Sequence, residues 1–433
     1  GGAPGDVVDV KITGKDKKFL IGTPIHFHTS SPERVTPFCE HFGTCGGCKW
    51  QHISYEAQLH HKQEHVAENL RKLSGIDLPE MAPIMGSEKT VHYRNKLEYT
   101  FSNKRWMTRE EISSERVLSR NALGFHIPRM FDKILDIQEC HLQAAPSNAI
   151  RLAFKRYAEE NELRFFDIRE QHGFLRNLII RTTSIGETMV IVQFAEPDRE
   201  QIFKVMNFLK EEFPEITSLL YVVNEKKNET FYDLPVKNFH GEDYIREKMG
   251  GLTFRIGPKS FYQTNSLQAY ELYKRVLEMA GLTGEEIVYD LYTGTGTIAN
   301  FVAHQAKKVV GIESVEDAVE DARKNSAVNG ITNTEFFAGD MKDMLSNDFI
   351  RAHGKPRVVI TDPPRAGMHH NVIKSLNRIL PQRIVYVSCN PATQARDLEL
   401  LAENYVVEQI QPVDMFPHTH HVENILLLKL HKH

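Results

Sequence analysis

The chain has 433 residues, 41% hydrophobic and 25% charged, a globular composition that argues against general disorder and is too long for one core. Its 53 Lys/Arg and 57 Asp/Glu leave a net charge of −4, which excludes a uniformly basic, histone-like nucleic-acid binder but not a local basic face. No apolar run approaches the ~18 residues of a membrane span and the N-terminus lacks a secretory pattern, so a soluble, cytoplasmic protein with no membrane partner is expected.

The first 36 residues read as short strands, VVDVKI and FLIGTPIHF, around a GKDKK turn. Such a stub is too small to bury a core alone. The glycine-rich loop PFCEHFGTCGGC follows and carries Cys39, Cys45 and Cys48; the two other cysteines are Cys140 and Cys389. Five thiols so unevenly spread do not make a disulfide scaffold. Three within ten residues, with Cys140 as a remote fourth, fit zinc or an iron–sulfur cluster in a reducing compartment. Zinc more often takes two close pairs, and three local ligands plus one distant suit a cubane better.

From Ser54 to Ser74 the period becomes helical. Tyr55, Leu59, Val66, Leu70 and Leu73 lie near one face, Ser54 can cap the start, and Gly75 stands at the C′ position. Residues from about 90 to 250 alternate as antiparallel strands, KLEYTF, LIIRTT, TMVIVQF and LLYVV, interrupted by helices near 146–161 and 198–211. The polar NEKKNET is expected as a hairpin tip between LLYVV and TFYDL. This middle part reads as α+β. Between His92 and Lys133 nine Lys/Arg face five Asp/Glu, interleaved with Tyr93, Tyr99, Phe101, Trp106, Phe125 and Phe131. Such a stretch suits a surface that tracks phosphates and stacks unpaired bases. A half-buried sheet with one solvated face accounts for most of the same pattern.

From about 265 helices alternate with near-continuous apolar strands, IVYDL, KVVGIE, RVVITD and RIVYVS, as in a parallel sheet covered on both faces. Helices are expected at 297–306, 315–329, 369–379 and 393–402. IVYDL contains Asp290 and runs into Gly294-x-Gly296-x-x-Ala299, which opens a helix and lets the backbone close around a ligand. Glu313 ends the next strand, 19 residues after Gly294, where a carboxylate holds a ribose hydroxyl pair, and Asp340 follows the third. These features suit NAD and S-adenosylmethionine equally.

The fourth strand ends in Asp362-Pro363-Pro364-Arg365. Amine N-methyltransferases place an aromatic after Asp/Asn-Pro-Pro, and Arg365 in that position disfavours exocyclic amine methylation. The following strand ends in Ser388-Cys389-Asn390-Pro391, presenting a thiol at the same edge. A lone strand-end cysteine is more often a small core residue, but this one shares the ligand edge with three acids. A thiol opposite a methyl donor suggests pyrimidine C5 methylation. Carbon 5 of uracil is not nucleophilic until a thiolate adds at carbon 6, and a base must then remove the carbon-5 proton.

These residues resemble the RNA uracil-5-methyltransferase family, which makes 5-methyluridine in ribosomal and transfer RNA. The similarity spans nearly the whole chain, through FGTCGGCKWQH, HYRNK, LGFH with ILDIQEC, SFYQTN, DLYTGTGT, DPPRAG, VSCNP and HVEN. It implies an α/β protein in three parts. A partial OB-like (TRAM) β segment would occupy 1–36, its first strands missing, and a central iron–sulfur and RNA-binding domain 37–250. A Rossmann-like S-adenosylmethionine methyltransferase domain would occupy 251–433, with helix 54–74 a candidate to pack on it.

The resemblance further implies Cys389 as nucleophile, Glu423 of HVEN as base, and Asp362 between donor and uracil. Gln263, Asp290, Tyr292, Gly294, Gly296, Thr297, Glu313 and Asp340 would surround S-adenosylmethionine. Tyr292-Thr293 replaces a common Phe-Cys and Thr297 a frequent Asn, without removing a catalytic group. From the residues alone Glu423 could equally be a solvated residue before NILLLKL. His418, His420 and His421 could chelate a metal, but the resemblance sets them beside the base. A cytosine-5 enzyme is disfavoured, because no second cysteine stands between Asp362 and Gly367.

Cys39, Cys45, Cys48 and Cys140 would hold a [4Fe–4S] cluster of structural role, tying the loop to the strand near Cys140. The implied partner is RNA, 23S ribosomal RNA before transfer RNA because the cysteine motif is typical of the ribosomal branch; no obligate protein partner is implied. The target uridine must lie in a loop or flip out. An NAD-dependent iron–sulfur oxidoreductase would leave DPPR and SCNP without purpose, and a non-catalytic RNA-binding or redox-sensing protein would not need Cys389, Glu423 and Asp362.

Overall fold

The computed structural model describes residues 1–17, 19–114 and 118–431. Lys18 of the first turn, residues 115–117 of the basic stretch (Arg116 among them) and the last two residues of the C-terminal part lie outside the described residues. Strands β1 (Val7–Lys15) and β2 (Leu20–Thr29) pair antiparallel, Val7 opposite Thr29 and Lys15 opposite Leu20. Both faces stay largely exposed, Ile12, Leu20 and Ile25 included. The described part of 1–36 is thus one two-stranded hairpin.

Helix α1 (Tyr55–Leu73) starts at its expected cap, where Ser54 Oγ accepts from the Ala57 amide at 3.2 Å, and Gly75 follows its end at φ +65°. Its buried face differs from the apolar pattern. Gln58 and Lys62 are buried beside Val66 and Leu70, while Leu73 is half exposed, because the helix presents polar side chains to a polar loop described below. α1 lies against the last helix of the C-terminal part.

The central sheet is built from β3 (Lys96–Ser102), β4 (Ala122–Ile127), β5 (Met130–Asp136), β6 (Leu175–Thr182), β7 (Thr188–Phe194), β8 (Ser218–Val223) and β9 (Lys237–Gly241), in the order β5-β4-β3-β6-β7-β8-β9. Helices α2 (Arg109–Ser113), α3 (Ser147–Glu160) and α4 (Arg199–Glu212) connect them. Neighbours are antiparallel except β7 and β8, which are parallel. The all-antiparallel expectation fails there because α4 gives the chain length to cross over. The hairpin expected from LLYVV into TFYDL is also corrected: β8 pairs instead with β9, after irregular chain over 224–236. The buried Asn224 side chain donates to the carbonyls of Asn228 (3.1 Å) and Thr230 (3.4 Å) and accepts from the Lys226 amide, folding the polar stretch on itself.

Hairpin β10 (Ile245–Met249) and β11 (Leu252–Ile256) leads to α5 (Ser266–Ala280), capped by Asn265. The C-terminal sheet contains β12 (Ile287–Leu291), β13 (Lys308–Glu313), β14 (Thr334–Ala338), β15 (Val358–Thr361), β16 (Arg383–Ser388), β17 (Tyr405–Val413) and β18 (Glu423–Leu430). Between them run α6 (Thr297–Val302), α7 (Glu316–Val328), α8 (Met341–Met344), α9 (Asn347–His353), α10 (His370–Ile379) and α11 (Pro391–Leu401). The order is β14-β13-β12-β15-β16-β18-β17. The first five strands are parallel, and the apolar side chains of β13, β15 and β16 are buried on both faces, as the continuous hydrophobic runs require.

The four strands expected to be parallel are so, and beyond them β18 runs antiparallel between β16 and β17. That reversal brings the start of β18 to the carboxyl end of β16. The strand order also reverses between β12 and β15, the kind of position at whose carboxyl edge open α/β sheets bind ligands.

Candidate active site

The glycine loop follows β12 directly. Tyr292 turns the chain at φ +62°, and Gly294 and Gly296 continue it at +55° and +74°. A Cβ at Gly296 would sit 2.8 Å from that of Ala322, so only glycine lets the loop close on α7. Asp290 is buried, and its Oδ2 accepts from Thr293 Oγ1 at 2.5 Å and from the Ala299 amide in α6 at 3.0 Å. Its Oδ1 has no partner among the described residues, and burial pushes the carboxyl up to about 7. Glu313 closes the loop from β13. One oxygen accepts from the Gly294 amide at 3.1 Å, the other from the amides of Ser314 (2.7 Å) and Val315 (3.0 Å).

Thr297 opens α6, and its hydroxyl lies 3.3 Å from that of Thr295, which donates to the Phe261 carbonyl at 3.2 Å. That bond draws the FYQT segment towards the loop, and the Gln263 carbonyl accepts from Asn95 Nδ2 at 2.8 Å. Tyr292 is half-buried, its phenol pushed up to about 12 mainly by burial. Asp340 is more exposed than these; it caps α8 and pairs with Lys342 at 3.0 Å, which holds its carboxyl below the usual range. Asp290, Tyr292, Gly294, Gly296, Thr297 and Glu313 therefore form one cradle, with Asp340 at the next strand end.

Cys389, Glu423 and Asp362 stand at the ends of three neighbouring strands. Ser388 pairs with Asn424 in the β16–β18 register, so Cys389 and Glu423 are the next facing residues. Asp362 follows β15, the other neighbour of β16, and its amide donates to the Leu291 carbonyl at 3.4 Å. Glu423 is only 6% exposed, which rules out the solvated residue that its sequence also allowed. Burial, and then the mutual repulsion of the two carboxylates, pushes Glu423 well above its ordinary range; burial does the same to Asp362. Cys389 is half-buried, its thiol pushed up to about 11 by burial first, then by Glu423 and Asp362, while Arg365 opposes the shift. Two acids and a thiol facing one cleft cannot all ionise in water-poor surroundings.

The sign of the Cys389 shift gives a direct expectation. Below the raised pKa the thiol keeps its proton, and alkylation needs the thiolate. Iodoacetamide should modify Cys389 slowly at about pH 8 in the ligand-free protein, and about tenfold faster for each pH unit up to about pH 10. Peptide mass mapping over that range checks this, and a rate flat with pH would contradict it.

Several supporting residues carry no sequence signal. Tyr273 on α5 is buried, and burial, then the charges of Asp362, Asp290 and Glu423, push its phenol well above its ordinary range; in sequence it is one apolar position of an amphipathic helix. Asp397 accepts from the Met368 amide (2.8 Å) and Tyr386 hydroxyl (2.7 Å), fixing the chain after DPPR. Asn390 caps α11 and donates to the Arg365 carbonyl at 3.1 Å. Of the three histidines, His418 turns inward at φ +65° onto Gln58, while His420 and His421 pack ring to ring at 4.2 Å. Among the described residues no group of three or more His, Cys, Asp or Glu is placed to hold a single metal ion.

Cys39, Cys45, Cys48 and Cys140 are free thiols lining one cavity of about 1150 Å³. The cavity continues over the central sheet, where Arg94, Lys96, Phe125, Arg129 and Phe131 also line it. Tyr93, Tyr99 and Phe101 of the basic stretch are instead buried in the core, so the half-buried-sheet reading holds for them. Behind Cys140 lies Arg151, fully buried. It donates to the carbonyls of Ile137 and Gln138 and its Nε has no partner; it makes no ion pair among the described residues.

A sequence model described as tRNA (uracil-5-)-methyltransferase matches residues 237–431. An uncharacterized RNA methyltransferase of Bacteroides thetaiotaomicron is 57% identical over 99% of this chain and 95% of its own length. Another from Porphyromonas gingivalis is also 57% identical, over 98% and 93%. Among solved structures, the tRNA (uracil-54, C5)-methyltransferase of Pyrococcus abyssi in complex with S-adenosyl-L-homocysteine is 31% identical, with a TM-score of 0.76 over 99% of this chain and 94% of that one.

Proposed function

The chain belongs to the RNA uracil-5-methyltransferase family, and from that premise we propose that it methylates carbon 5 of an unpaired uridine through a covalent adduct on Cys389, with Glu423 as base. The observation that carries this reading is the β16–β18 register, which faces Cys389 with Glu423 and leaves Asp362 one strand away, beside the glycine cradle. S-adenosylmethionine is the methyl donor of the family. Asp290, Tyr292, Gly294, Gly296, Thr297 and Glu313 would hold it, with Asp340 and Gln263 at the margins.

The Cys389 thiolate adds to carbon 6, and the electrons of the C5–C6 double bond move onto the carbonyl oxygen at carbon 4. Carbon 5 then takes the methyl group from the donor's sulfonium, whose S–CH₃ bond breaks to leave a neutral thioether. Glu423 accepts the carbon-5 proton, the double bond returns, and the C6–S bond breaks to release the thiolate. A bound donor's positive charge would favour the ionised forms of Cys389, Glu423 and Asp362 and offset the upward shifts of the ligand-free protein.

The four thiols that line the cavity would hold a [4Fe–4S] cluster. A single zinc ion draws all its sulfurs to about 2.3 Å, and no group of three donors is so placed among the described residues. A cubane, bound at separate iron corners, asks less convergence of the thiols. Its net negative charge with four thiolates would also answer the guanidinium of Arg151, which is hydrogen-bonded but has no ion-pair partner among the described residues. Iron and labile sulfide in cubane proportion, lost in Cys140→Ser, would support this; stoichiometric zinc instead would overturn it.

For the substrate, the cysteine-loop resemblance favours 23S ribosomal RNA, and the likeness to the P. abyssi enzyme favours transfer RNA. The basic, aromatic-lined cavity would contact either, and residues 37–250 would act as the RNA-binding part. Transfer of a tritiated methyl group to each RNA, followed by nucleoside analysis, separates them. 5-Methyluridine in ribosomal RNA alone is expected, and label in transfer RNA alone would reassign the substrate.

A further inference from the structure

Glu423 begins β18 at the end of an arch, residues 414–422, that returns from β17. The arch is irregular chain, and irregular chain positions a base only if its backbone is held. Here the holding is unusually polar and buried. Lys62 of α1 reaches Asp414 Oδ1 at 2.6 Å, with neither side chain exposed, and donates a second bond to the Phe416 carbonyl at 3.0 Å. Asp414 accepts further bonds from the Phe416 amide (3.0 Å) and the Tyr55 hydroxyl (2.9 Å). Four residues on, Gln58 accepts from the His418 amide at 2.8 Å, and the His418 carbonyl accepts from the amides of Lys49 and Trp50 at 2.8 and 3.0 Å.

The same helix packs on α11, which opens immediately after Cys389. α1 therefore touches both halves of the reacting pair: the helix behind the nucleophile and the arch before the base. A buried ion pair adds little net stability over well-packed apolar side chains of similar size, because desolvation costs about as much as attraction returns. Its effect is to fix one geometry.

The geometry points to Lys62 as a positioning residue that sets Glu423 against the bound uridine, through Asp414 and the arch. The inference rests on the reading of Glu423 as the base. Lys62 does not touch the substrate, and its loss acts on the step that Glu423 performs, removal of the carbon-5 proton and release of the C6–S bond.

Lys62→Met and Tyr55→Phe test this beside Glu423→Gln, each incubated with S-adenosylmethionine and substrate RNA. The Lys62 variant is expected to lose about 10- to 100-fold in kcat, as for a base displaced by about an ångström, with KM for RNA within about threefold. Protein recovered on a denaturing gel should carry covalently attached, methylated RNA, as Glu423→Gln does. A role in folding alone would not produce that adduct. Should Lys62→Met fail to fold, Tyr55→Phe, which removes one hydrogen bond from Asp414 and one from the Ser87 amide, decides with a smaller accumulation of the same adduct. Folded variants that release 5-methyluridine without adduct overturn the positioning role. Absence of adduct in Glu423→Gln, with wild-type turnover intact, removes the base assignment itself and this proposal with it.

Discussion

Cys389→Ala is expected to lower methyl transfer to RNA by at least about 10⁴-fold while leaving S-adenosylmethionine binding within about twofold of the wild type. The asymmetry follows from where the thiol stands. It lies at the end of β16 facing Glu423, whereas the cradle of Asp290, Gly294, Gly296 and Glu313 is held by hydrogen bonds within and between β12, α6 and β13. Removing one half-buried sulfur disturbs none of those bonds. Without carbon-6 addition, carbon 5 of uracil has no electron pair to offer, so the remaining groups cannot replace the thiol. Isothermal titration of the donor and tritium transfer to RNA measure the two halves. Substantial residual transfer would mean that carbon 5 is activated by another group.

The second large effect is expected at Glu423, and its signature differs in kind. Glu423→Gln keeps the shape of a side chain that is 6% exposed and removes only its capacity to take a proton. Addition and methyl transfer should proceed, and release should stop. Turnover is expected to fall by about 10³-fold, with methylated RNA retained on the denatured protein. The buried carboxyl is pushed well above its ordinary range by burial and by Asp362, so it is protonated more readily in the folded chain than in the unfolded one. Stability drawn from this group is complete below its unfolded pKa and lost as pH rises through the folded one. The glutamine variant should therefore unfold at a higher temperature than the wild type in mildly alkaline buffer, with the gain shrinking under acid conditions. Greater activity loss with no adduct would place Glu423 before methyl transfer instead of after it.

The parts most legible in the sequence were those where one local signal decides. Strands buried on both faces announce themselves as IVYDL and KVVGIE, Ser54 caps its helix, and the glycines of the loop adopt the left-handed backbone that only their lack of a Cβ permits cheaply. Long-range pairing was less legible. Nothing local in ENILLLKL tells whether the strand adds to the sheet edge or inserts antiparallel between two others, yet that choice faces Glu423 with Cys389. Gln58 and Lys62 were hidden for a related reason. On a helix in isolation they belong to the polar face, and only the arch at 414–422 makes that face an interior. Tyr99 and Phe101 show the converse, aromatics among basic residues whose alternation on β3 turns them into the core.

The covalent mechanism is tested most directly with RNA carrying 5-fluorouridine, incubated with the wild-type protein and S-adenosylmethionine and resolved on a denaturing gel. Fluorine at carbon 5 cannot leave as a proton, so Glu423 has nothing to remove and the C6–S bond cannot break. A methylated, denaturation-resistant adduct is expected, with a peptide map that places the RNA on Cys389. Methyl transfer to uridine-containing RNA, with no adduct on the fluorinated substrate or an adduct at a different residue, would contradict it.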